Sequence, residues 1–183
     1  MPFTAKLPLP VAAPIPAEHA RASVLVVGPF VDARKDRGRC GMKKNGYNGD
    51  AADILCAQPP ATFLARRLAA DLRAVGVDVR EPPEDADVRI EGTLLQFFTE
   101  AKASVFTVEM ETDVHVRLTA TATDGLVADR EIFVKGSDSS GAPDDDVIQA
   151  SVDDASAKIA RTMSMSVLAL LDQRAKDRAT GAP

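Results

Sequence analysis

From Phe106 to Ala122 the apolar side chains fall on every second residue, broken only at Thr112. Between them stand Thr107, Glu109, Glu111, Asp113, His115, Arg117, Thr119 and Thr121. Successive strand side chains point to opposite faces, so the pattern predicts one long strand with a buried and a wet face. Val88, Ile90, Leu94 and Phe98 alternate before it, and Leu126, Ala128, Ile132 and Val134 after it. Together these runs predict a three-strand antiparallel meander that needs a cover on one face.

The register of its second hairpin follows from a conflict of signals. Asp124-Gly125 alone would form a two-residue turn and place Ile132 opposite Arg117. That slip would put Ile132 and Val134 in water, at about 1.5–3 kcal/mol each, against at most about 1 kcal/mol separating turn types. We therefore expect an odd loop or a β-bulge near Asp124–Val127, with Ile132 opposite Leu118, Val134 opposite Val116 and positive φ at Gly125.

Helical spacing supplies the cover. Leu64, Leu68, Leu72 and Val75 predict a helix from about Pro60 to Val75, closed by Gly76. Ile148, Val152, Ala155, Ile159, Met163, Val167 and Leu170 predict a second, from about Asp145 to Gln173. Ser23–Val31 reads as a buried strand and Val77–Arg80 as a short one, parallel across the first helix. The expected fold is a two-layer α/β (α+β) sandwich in the order β-α-β-β-β-β-α, an antiparallel meander in a mixed sheet with two helices packed on one face. Residues 1–22 are an extended proline-rich arm, 23–173 a single domain and 174–183 a flexible polar tail. Asp32–Pro60 has no period and reads as a long loop with turn signals at Asn45-Gly46 and Asn48-Gly49. Two apolar pairs, Leu95 with Phe97 and Val127 with Phe133, alternate onto the outer face; they mark a partner surface or are scattered surface residues.

Composition narrows the chemistry. A net charge of −5 and an aromatic content of 4% exclude a basic, base-stacking nucleic-acid surface. No run reaches the roughly 18 apolar residues of a membrane span, and Met1–Ala22 carries no basic-then-apolar signal pattern. His19 and His115 have no implied nucleophile, and the serines lack a GxSxG setting. The glycines at 38, 41, 46 and 49 miss the phosphate-loop spacing, and Asp138–Asp146 misses the calcium-loop pattern. We expect no catalytic residues, no metal site and no cofactor. Cys40 and Cys56 either close a disulfide, in an oxidising compartment, or remain two thiols in a reducing one.

An apolar strand ending in Asp32-Ala33-Arg34 is followed by a loop with Lys44-Asn45-Gly46 and Gly49, then a helix ending at Leu72 and Gly76. With the β-rich section and the C-terminal amphipathic helix, Ser23–Gln173 resembles the YajG-like lipoprotein family of the bacterial envelope. The resemblance implies a non-enzymatic, periplasm-facing domain, and an oxidising location of that kind favours the Cys40–Cys56 disulfide. It also implies attachment to the outer membrane only through an N-terminal lipid anchor. No lipobox cysteine stands before the domain, so either that anchor lies outside the given sequence or this member is not lipidated. The expected function is docking of an envelope protein or cell-envelope component, through a loop carrying Asp32, Arg34, Lys44, Asn45 and Tyr47. The alternative is a small-ligand or lipid-binding module that uses a pocket between helices and sheet or the outer apolar pairs.

Overall fold

The structure is a computed structural model that describes residues 2–7, 22–44, 49–82, 84–103, 108–125, 127–140 and 144–180. The first strands are β1 (Phe3–Ala5), β2 (Ser23–Val26), β3 (Val31–Asp32), β4 (Gly41–Lys44) and β5 (Asp50–Cys56). Helix α1 (Pro60–Ala74) and the short β6 (Asp78–Arg80) follow. Then come three long strands, β7 (Val88–Ala103), β8 (Val108–Ala122) and β9 (Val127–Ser140), and helix α2 (Asp145–Thr180). All nine strands join one mixed sheet, with the two helices packed on it and on each other. The two-layer α+β architecture read from the sequence is the one observed.

Strand β7 is the spine. One side pairs antiparallel with β8 over nearly its whole length, and β8 pairs likewise with β9. Along the other side three short strands lie end to end, all parallel to β7. β2 stands beside Val88–Ile90, β3 beside Thr93 and Leu94, and β4 beside Thr99 and Glu100. β6 adds parallel to β2, β5 antiparallel to β4, and β1 parallel to β5. Asp32–Pro60 is thus not a plain loop. Met42 and Ile54 are its main buried strand residues, too few to set up an alternation, so β4 and β5 carry no periodic signal. Likewise Phe3–Ala5 of the arm is a strand, and Ala5 is fully buried.

The alternation of β8 holds: Met110, Thr112, Val114, Val116 and Leu118 face the core, while Glu109 to Thr121 on the odd positions face outward. In β7 it does not continue unbroken. Leu94 stands opposite Val116 and Gln96 opposite His115, so Leu95 is the extra residue of a β-bulge. The bulge reverses the phase beyond it. Phe97, expected on the outer face with Leu95, is a core residue at 1% exposure, and Phe98 takes the outer face opposite Asp113.

The β8–β9 hairpin has the expected even register, shifted by one two-residue step: Ile132 faces Val116 and Val134 faces Val114. Gly125 explains the shift. Its N–H donates to the Ala122 carbonyl (2.9 Å) and its φ is +85°, as at the third position of a three-residue loop, where a type I turn ends in a left-handed residue. Asp124-Gly125 therefore does not form a two-residue turn.

Helix α1 buries Leu64, Leu68 and Leu72 and ends before Gly76. Helix α2 buries Ile148, Val152, Ala155, Ile159, Met163 and Val167. It crosses the sheet closely at Gly136, where a Cβ would lie 2.3 Å from the Ala155 nitrogen and 2.5 Å from the Ser151 carbonyl oxygen. The same crossing holds a buried hydroxyl chain: Thr99 and Thr112 share a hydrogen bond of 2.9 Å, Thr112 and Ser151 one of 2.7 Å, and Ser151 donates to the Gly136 carbonyl. Each hydroxyl thereby meets the requirement that a buried polar group be paired. The helix runs past Gln173 instead of giving way to a polar tail. Arg174 is buried and donates to the Asp87 carbonyl and the Asp124 carboxylate, both at 2.8 Å, which fastens this end to the start of β7 and to the hairpin turn.

Candidate functional site

The corner between β3 and β4 is built around Arg34. Asp32 accepts from its Nε (3.0 Å) and Nη2 (2.9 Å), while its Nη1 donates to the Arg39 carbonyl (3.0 Å) and approaches the Cys40 sulfur (3.6 Å). Burial pushes the Asp32 carboxyl up, but the hydrogen bonds from the Arg34 side chain and backbone outweigh it and hold it below its ordinary value. The Asp-x-Arg element is therefore a buried staple that shapes the 34–40 turn. Arg34, at 6% exposure, does not offer its guanidinium to a partner. The turn delivers Cys40 to Cys56, and the two form a disulfide with Cα atoms 5.6 Å apart.

Of the other residues expected to form a docking loop, Lys44 pairs with Asp50 (2.5 Å) in the β4–β5 hairpin. Asn45 and Tyr47 lie outside the described residues. What the stapled turn exposes instead are Lys35 and Arg37, neither of which has an ion pair among the described residues. They stand with Leu95, Gln96 and Phe98 around an open groove of about 570 Å3. Arg39 lies over the Phe98 ring, 5.9 Å from its centroid, and is neutralised by Asp36 and Asp53. The cations at 34, 35, 37 and 39 in an acidic chain were a readable signal of this corner. The exposure of Phe98 was not, because it depends on the bulge.

The outer face of the long strands is a cross-strand ionic ladder. Arg117 pairs with Glu131, His115 lies 3.5 Å from Glu131, and Glu111 is held by both Lys102 and Lys135. On β9, Val127 and Phe133 are the apolar exceptions, 55% and 56% exposed, with His115 edge-on to Phe133. Burial pushes the Glu111 carboxyl up, but the two lysine ammoniums outweigh it and hold it below its ordinary 4.5. A carboxylate depressed in the folded state contributes stability that is complete above its unfolded pKa and lost as pH falls through the folded one. Thermal midpoints followed by circular dichroism are therefore expected to fall below about pH 4.5, and Glu111→Gln to flatten part of that fall. An unchanged acid limb in the variant would remove Glu111 from the account.

Among the described residues no group of three or more His, Cys, Asp and Glu is placed to hold a metal ion. No described helix is long and apolar enough to cross a membrane.

Fold and surface define a small α+β domain whose long central strand carries a disulfide-stapled corner. The chain belongs to the uncharacterised lipoprotein family Lipoprotein_16, whose profile matches residues 13–174, and the YajG-like resemblance stands. No curated protein matches it. Among solved structures it is similar to XCC0632 from Xanthomonas campestris, a DUF330 protein. The identity is 15%, with a TM-score of 0.63, over 97% of this chain and 99% of that one, a likeness of fold alone. A putative lipoprotein from Caulobacter crescentus (14% identity, 61% and 83% of the two chains, TM-score 0.37) is more distant. So is lipoprotein GNA1162 from Neisseria meningitidis (14%, 85% and 99%, TM-score 0.39). None of these names is that of an enzyme.

Proposed function

We propose that this domain is a non-enzymatic, periplasm-facing module of the bacterial envelope that docks an acidic surface of an envelope partner at the stapled corner. The observation that supports it is Lys35 and Arg37, two exposed cations without ion pairs beside Leu95 and Phe98, on a turn made rigid by Arg34 and the disulfide. A partly apolar groove whose rim carries four cations and one carboxylate is suited to recognising an acidic partner. Membership in a lipoprotein family supports the envelope location.

The test is site-specific photocrosslinking in the native envelope, with the crosslinker at Gln96 and, as a control, at Glu84 on the far side of β6. A discrete adduct from Gln96 alone, lost in Lys35→Glu/Arg37→Glu and weakened by added salt, is the expected result. Adducts that survive the charge reversal would overturn the proposal.

A further inference from the structure

The inner face of the sheet is not fully covered. Beside the second half of α2 a groove of about 640 Å3 remains, floored by Leu118, Ala120 and Ala128 and walled by Met165, Ala169 and Leu170. It exists because α2 presents small side chains, Ser166 and Ala169, where the sheet corner presents alanines. Its volume is within the range of sites that enclose small ligands.

The hydroxyl and amide donors around it are already engaged. The Thr162 hydroxyl donates to the Lys158 carbonyl (2.8 Å), the Ser166 hydroxyl to the Thr162 carbonyl (2.8 Å) and the Gln173 amide to Asp177 (2.8 Å). Arg130 is the exception. It stands opposite the buried Leu118, in phase with Ala128, Ile132 and Val134 on the inner face of β9, is exposed at the rim of the groove, and has no hydrogen-bond or ion-pair partner among the described residues.

This combination selects an occupant. A peptide laid in the groove would bring an N–H and a C=O per residue and find almost nothing to satisfy them. A hydrocarbon chain needs no such partners. A single anionic head at its end would meet the one uncompensated cation. We propose that the groove holds the chain of a long-chain fatty carboxylate, its head paired with Arg130. The protein's net charge of −5 works against indiscriminate adsorption of anions, so the pairing must be local. This site is distinct from the stapled corner and does not depend on the docking reading.

Isothermal titration of the purified full chain with decanoate, laurate and myristate, each below its micelle concentration, tests it. Saturable one-to-one binding is expected, tightening by up to about fourfold per methylene, the factor set by roughly 0.8 kcal/mol per buried CH2. Arg130→Glu should weaken laurate at least threefold, and Ala169→Phe, which fills the groove from an exposed helix position, at least tenfold. Dodecylamine should bind more weakly than laurate to the wild type and more tightly to Arg130→Glu. Should Ala169→Phe fail to fold, the charge reversal and the chain-length series still decide. Absence of saturable laurate binding, or dodecylamine binding the wild type as tightly as laurate, would overturn the proposal. So would a sedimentation mass showing a wild-type dimer that Ala169→Phe converts to a monomer, because the occupant would then be a second copy.

Discussion

Phe97→Ala is expected to lower the unfolding free energy by about 3–5 kcal/mol, the cost of emptying a large buried site. The side chain is 1% exposed and faces Val114 in the core. For a chain of this size the loss corresponds to a fall of about 6–20 °C in the thermal midpoint. Phe133→Ala should cost less than about 1 kcal/mol, as expected of a surface position away from packed features, since Phe133 is 56% exposed and meets His115 only at its edge. Urea unfolding of the two variants measures the contrast directly. Equal costs would mean that the strand continues through Leu95 without a bulge and that Phe97 faces outward.

Loss of the Cys40–Cys56 bond is the second large effect. The bond closes a loop whose ends are 16 residues apart, and a loop of about that length corresponds to about 3 kcal/mol of lost unfolded-state entropy. Cys40→Ser/Cys56→Ser is therefore expected to melt about 6–12 °C below the oxidised protein. Mass analysis of the oxidised protein should show two hydrogens fewer than after reduction. The damage should spread from the bond: β4, β5 and β1 form the wing it ties, and Arg34 contacts the Cys40 sulfur from beneath. Hydrogen exchange in the variant should accelerate in this wing before it does in β8. Identical melting with and without the bond would show that the wing is held by its ladders alone.

These positions also show how far the chain could be read in advance. The phase of β8 was legible because every one of its inward positions but Thr112 is apolar, and both helices because their apolar rows recur at steps of three and four. The segment Leu94-Leu95-Gln96-Phe97-Phe98 has apolar residues in both phases, so nothing local says where the extra residue sits. The even register of the hairpin followed from burial, but its final two-residue step depended on Gly125 requiring the third loop position. The end of α2 is not legible in the sequence because Arg174 is fixed by Asp87 and Asp124, partners remote in sequence. Of the sites, Arg34 and Lys44 looked like surface groups because their partners at Asp32 and Asp50 were invisible as contacts. Arg130 did leave a signal, a cation in phase with Ile132 and Val134, that acquires meaning only once the helix is seen to leave it uncovered.

The placement of short parallel strands along β7 has a consequence for the order of assembly. Ahead of Val88, β2 can meet β6 across α1 and β4 can meet β5, the disulfide closing once the chain is in an oxidising compartment. These two islands share no strand pairing with each other. Each borders β7, which reaches β2 at Val24–Val88 and β4 at Gly41–Thr99. Until β7 joins them, both islands keep open strand edges. Strand β7 then joins them in one step and simultaneously offers its other side to β8. A truncation before Val88 would thus leave two unattached fragments of a sheet, each with edges open to pairing with other chains.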